Sequence, residues 1–136
     1  MPEPGSVREL RLVVTATDYD EAVRFYRDVL GMPMREAYES PDGRVTILEA
    51  GAATLEIADP NQAEFIDRVE VGRRVAGHLR VALQVDDSVA MTRTLEAAGA
   101  TVLAEATRTP WGSLNARLTG PAGLQLTLFQ ELATPD

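Results

Sequence analysis

The chain repeats itself, and the repeat limits its fold more than any other feature. Residues 13–31 read VVTATDYDEAVRFYRDVLG, and residues 81–99 read VALQVDDSVAMTRTLEAAG. Each copy runs from an apolar strand, through an aspartate, into a helix that stops at a glycine. The spacing from Asp18 to Gly31 equals that from Asp86 to Gly99. Such repetition means that two copies of one supersecondary unit bury together a surface that neither buries alone.

The first helix is well marked. Asp18 is placed to cap it, and Glu21 stands at the third helical position, as a capping box requires. Ala22, Phe25, Tyr26, Val29 and Leu30 form one apolar stripe, Gly31 offers a left-handed C-cap, and Pro33 lies just beyond. In the second helix Asp86 or Asp87 is the cap, Val89, Met91, Leu95 and Ala98 are the apolar positions, and Gly99 ends it. Alternating residues predict strands at 9–15, 34–38, 44–49 and 53–58 around the first helix. The same pattern predicts strands at 78–85, 101–104, 113–119 and 124–130 around the second. Each half reads β-α-β-β-β. Between them, 59–77 is either a short helix opened by Asn61 and Glu64, carrying Phe65, Ile66 and Val69, or an ordered connection. No low-complexity linker separates the halves, so 1–136 reads as a single domain.

This order resembles the glyoxalase/bleomycin resistance protein/extradiol dioxygenase group, the vicinal oxygen chelate superfamily. The residues that carry the resemblance are YRDVLGM at the end of the first helix, VDD before the second, LEAAGA after it and the closing GPAGLQLTLFQE. It covers about residues 8–131. It implies an α+β fold of two βαβββ modules, 8–58 and 78–131, joined by 59–77. Their eight strands would form a U-shaped sheet around a cleft, with helices on the outer face. It also implies a divalent metal in the cleft, held by one side chain from the first and last strand of each module.

Strand parity assigns the faces independently. Leu79, Val81, Leu83 and Val85 oppose His78, Arg80, Ala82 and Gln84. Leu124, Leu126 and Leu128 oppose Gln125, Thr127 and Phe129. The aliphatic faces are expected under the helices and the mixed faces in the cleft. The family's metal positions fall on Arg11, Glu56, Arg80 and Thr127. Of these only Glu56 is a plausible ligand, because arginine keeps its proton and has no lone pair to donate. No metal and no cofactor are therefore expected.

Arg11 and Arg80 hold equivalent places in the two halves. One reading is a two-fork clamp for a carboxylate, phosphate or enolate. The other is a structural Arg–Glu–Arg cluster with Glu56 between them; the two are compatible. Glu56 and His78 are the acid/base candidates, although neighbouring arginines would depress Glu56 and His78 near its strand's start reads equally as a solvated rim residue. Trp111, in the turn Thr109-Pro110-Trp111-Gly112, either stacks on a ligand or plugs the core edge. Asn115 and Arg117 share one face of the seventh strand as candidate polar contacts, with solvent exposure the more ordinary expectation. Thr127 and Phe129 complete the ligand-lining set.

Composition narrows the functions. A net charge of −8 over 136 residues argues against nucleic acid and anionic membranes. No apolar run is long enough to span a bilayer, and the N-terminus lacks a signal-peptide layout, so a cytoplasmic location is expected. There is no cysteine, and all 13 basic residues are arginine. Thiolate chemistry is excluded, as is a lysine Schiff base. One histidine leaves no scheme that needs two from one chain. Three functions remain: metal-independent binding of a small anionic or aromatic molecule; a metal-free lyase, isomerase or epimerase using Glu56 or His78; and a dimeric interaction module with a closed cleft. A homodimer is expected, because an open sheet of two half-barrels leaves edges that pairing covers.

Overall fold

The computed structural model describes residues 12, 14, 16–41, 43–53, 60–77 and 79–133. The first helix, α1, covers Tyr19–Val23 and continues as a wider, π-type stretch through Arg24–Val29. Asp18 caps it by accepting the Glu21 amide at 3.1 Å. The hairpin β1 (Met34–Ser40) and β2 (Gly43–Leu48) follows as an antiparallel pair. Helix α2 spans Pro60–Glu70, so the connection is helical, with proline at the position where a missing N–H costs nothing.

The second half is β3 (Val81–Gln84), α3 (Ser88–Ala97), β4 (Thr101–Arg108), β5 (Ser113–Thr119) and β6 (Gln125–Glu131). Its sheet has the order β3-β6-β5-β4. The pair β3·β6 is parallel and the other two are antiparallel. That is the β-α-β-β-β unit expected from the sequence, since only the crossover through α3 joins parallel neighbours. Among the described residues there are six strands in two sheets and three helices.

Parity carries the packing. Ala116 pairs with Leu128 and Leu118 with Leu126 across β5·β6, giving one face that is apolar except for Gln130, opposite Leu114, which accepts from Ser88 of α3. Phe25 from α1 and Leu95 from α3 close over it, and with Ala116, Leu118, Leu126 and Leu128 they are completely buried. Val81, Leu83, Val85 and Met91 pack at the margin. Burying each large side chain contributes about 1.5–3 kcal/mol. Gly31 and Gly99, at φ +74° and +110°, end α1 and α3 in backbone conformations that disfavour other residues. Asp87 is the α3 cap, accepting the Ala90 amide at 3.0 Å.

Three expectations need correction. Val89 is exposed, because α3 turns Ser88, Thr92 and Leu95 inward instead. Asn115 and Arg117 are buried, not solvated. The helices are not confined to the apolar face, because α2 lies against the opposite, polar face of β5 and meets Asn115 and Arg117 there.

Candidate functional site

The polar face of β5 and β6 is built by the same register that makes the other face apolar. Arg117 sits opposite Thr127, and Asn115 opposite Phe129. Arg117 has no exposed surface, so its charge demands partners. Its Nη1 donates to Asp67 Oδ1 at 2.8 Å and to Gln125 Oε1 at 3.0 Å. Its Nη2 donates to Glu70 Oε1 at 2.8 Å, and its Nε to Thr127 Oγ1 at 3.1 Å. Asp67 and Glu70 stand three residues apart on α2, which puts both carboxylates on one helical face.

Each carboxylate has further donors. Asp67 Oδ2 accepts the Val75 and Ala76 amides at 2.8 and 2.9 Å and Arg74 Nη1 at 3.0 Å. Burial alone would push the Asp67 carboxyl up, but these hydrogen bonds and the one from Arg117 outweigh it and hold it at about 2. Glu70 Oε2 accepts Asn115 Nδ2 at 2.7 Å. The cluster therefore fastens the end of α2 and the turn after it to the middle of the sheet.

An open pocket of about 440 Å³ adjoins this cluster. Glu70, Arg80, Asn115 and Thr127 form its polar wall, and Ala82, Phe129, Ile66 and Trp111 its apolar one. Arg80 Nη1 donates to Thr127 Oγ1 at 2.8 Å. Trp111 is carried by the β4–β5 turn, which the Thr109 and Ser113 side chains tie at 2.9 Å. The indole is about half exposed and lies 6.1 Å from the Phe65 ring of α2. Trp111 thus stands at the pocket's mouth and does not plug the core.

Of the residues singled out by sequence, Arg80, Trp111, Asn115, Thr127 and Phe129 converge on this pocket. Arg11, Glu56 and His78 lie outside the described residues. Sequence reasoning missed Asp67, Glu70 and Arg74. One signal pointed to them: a pair of acids at helical spacing in the connection between modules.

The donor set can be tested against the divalent metal that the family resemblance implies. In the second module those positions are Arg80 and Thr127. A guanidinium is no ligand, and the threonine oxygen already accepts from Arg80 and Arg117. This half of the set does not fit a divalent cation. Among the described residues, no three His, Asp or Glu side chains gather as a metal site. No helix among them is long and apolar enough to cross a membrane.

Comparison with known proteins agrees with the architecture. Residues 10–128 match the family model described as the Glyoxalase/Bleomycin resistance protein/Dioxygenase superfamily. The lactoylglutathione lyase of Haemophilus influenzae is 29% identical over 129 residues, which is 92% of this chain and 93% of that protein. A superfamily member from Sphaerobacter thermophilus superposes with a TM-score of 0.59 at 23% identity, over 87% of this chain and 92% of its own. A glyoxalase-related enzyme from Fulvimarina pelagi gives 0.56 at 17% identity, over 92% and 89%.

Proposed function

Because the chain belongs to the Glyoxalase/Bleomycin resistance protein/Dioxygenase superfamily, we propose that it binds a small organic acid, partly aromatic, in the pocket beside Arg80 and without a divalent metal. The observation that carries this reading is the meeting of half-buried Arg80 with the apolar surfaces of Ala82, Phe129 and Trp111 around one open cavity. Arg117 is not the anion receptor, since two carboxylates already take its charge. The proposal extends to Arg11, Glu56 and His78 as further ligand contacts, and to an eight-stranded U formed by modules 8–58 and 78–131. The protein acts in the cytoplasm as a homodimer.

The test is titration with benzoate and benzamide, followed by fluorescence of Trp111, the one tryptophan of the chain. Arg80→Ala should weaken benzoate by about 1–3 kcal/mol, the range of a charge-assisted hydrogen bond, and scarcely change benzamide. Equal losses for both at unchanged stability would reject Arg80 as an anion receptor.

A second reading, turnover in the manner of a lyase, is favoured by the 29% identity to the Haemophilus influenzae lactoylglutathione lyase. Glu56 and His78 would then be its acid/base groups. Interconversion of lactoylglutathione with methylglyoxal and glutathione by the purified protein, without uptake of water and lost in Glu56→Gln, would establish it.

A further inference from the structure

Asn115 stands on the pocket wall and is 4% exposed. Its Nδ2 donates to Glu70 Oε2 at 2.7 Å. Turning the amide over would set its oxygen against a carboxylate oxygen, so the orientation is fixed. Oδ1 is then left buried and, among the described residues, without a hydrogen-bond partner. A buried acceptor without a donor is costly, and native proteins rarely leave one unmet.

The neighbouring hydroxyls have other engagements. Ser113 Oγ is bound to Thr109 Oγ1 at 2.9 Å. Thr127 Oγ1 is turned to Glu70 at 3.4 Å, and Thr107 Oγ1 donates to Glu105 O at 3.0 Å. Across the strands Asn115 faces Phe129, which offers no donor, and Thr107. We infer that Asn115 is a specificity-determining residue whose Oδ1 receives an O–H or N–H from the ligand. This deepens the reading of the pocket as a site for organic acids, and rests on it. The ligand class becomes an aromatic acid carrying a hydroxyl or amide donor in addition to its acidic group. The carboxylate is directed to Arg80 and the donor to Asn115, along a wall whose polar atoms are already linked as Asn115–Glu70–Thr127–Arg80.

The experiment titrates the intact protein with benzoate and with 2-, 3- and 4-hydroxybenzoate, each hydroxy acid beside the methoxybenzoate of the same substitution. One hydroxy isomer should bind about 3- to 10-fold tighter than its methoxy partner, the range of one net hydrogen bond. In Asn115→Ala the ratio between that hydroxy acid and its methoxy partner should fall to about one, whatever the change in affinity for benzoate itself. The substitution also takes a donor from Glu70, so a thermal melt accompanies it. Should the variant fail to fold, a structure of the native protein with the preferred acid must show its hydroxyl within about 3.2 Å of Oδ1. Benzoate binding with no hydroxy preference at any position overturns the role of Asn115 and leaves the pocket reading standing. Binding of none of these acids overturns both. An ordered water that keeps Oδ1 while the acid is bound also overturns the inference.

Discussion

Replacing Arg117 by alanine removes the guanidinium that neutralises two carboxylates on the polar face of the sheet. Asp67 and Glu70 are 1% and 4% exposed, so water cannot take over. Breaking a buried ion pair from one side costs about 3–5 kcal/mol, because the charge left behind is uncompensated. That is a large share of the roughly 5–15 kcal/mol that separates a folded domain from its unfolded chain. With a urea dependence of about 1–3 kcal/mol per molar, the unfolding midpoint should fall by about 2 M. Arg74 contacts the same Asp67, but its side chain is about half exposed, and Arg74→Ala should cost no more than about 1 kcal/mol. Urea unfolding followed by circular dichroism and by Trp111 fluorescence measures both. The gap between Arg117→Ala and the native protein should narrow as the pH falls towards about 2, because the stranded Asp67 carboxylate of the variant takes up a proton before the native one does. A loss below 1 kcal/mol for Arg117→Ala, or one equal to that of Arg74→Ala, would refute the account of the cluster as the fastening of α2.

Two further outcomes follow from the same geometry. Asp67 is held at about 2, below the ordinary carboxylate value of 3.8. Its contribution of about 2 kcal/mol is therefore complete above about pH 4 and is lost as the pH falls from there towards 2; acid titration of stability should lose this component in Asp67→Asn. Leu12, Met34, Val45 and Leu79 are about half exposed, and β1 is exposed along its whole length. Apolar surface of this kind calls for a partner, and sedimentation at micromolar concentration should give a dimer; a monomer alone would refute the homodimer.

The repeat makes the order of elements in the second module legible, although the strand expected at 101–104 runs on to Arg108 and the one expected at 78–85 covers only Val81–Gln84. Its strand at 113–119 was read correctly at both ends, because alternating Leu/Ala and polar residues define its faces directly. The cap at Asp18 and the stops at Gly31 and Gly99 are equally plain, since each rests on local backbone chemistry, while the choice between Asp86 and Asp87 for the second cap falls to Asp87 only in the structure. What the sequence concealed is a tertiary matter. Arg117 on the polar face of a strand looks like a solvated side chain until α2 is laid over it. Nothing local places α2 there, because the contact spans 47 residues from Glu70 to Arg117. The same contact hid Asp67 and Glu70. Parity places Arg80, Thr127 and Phe129 on one face and they line one pocket, whose extent depends on the helix that closes one side of it.

Binding of a small molecule without a divalent metal is the property on which the proposed function stands. It is tested most directly by calorimetric titration of benzoate into protein freed of metal by exhaustive chelation, repeated with stoichiometric zinc and with nickel. The account predicts saturable binding at one site per chain, with the same affinity in all three samples. Binding that appears only when a metal is restored would contradict it.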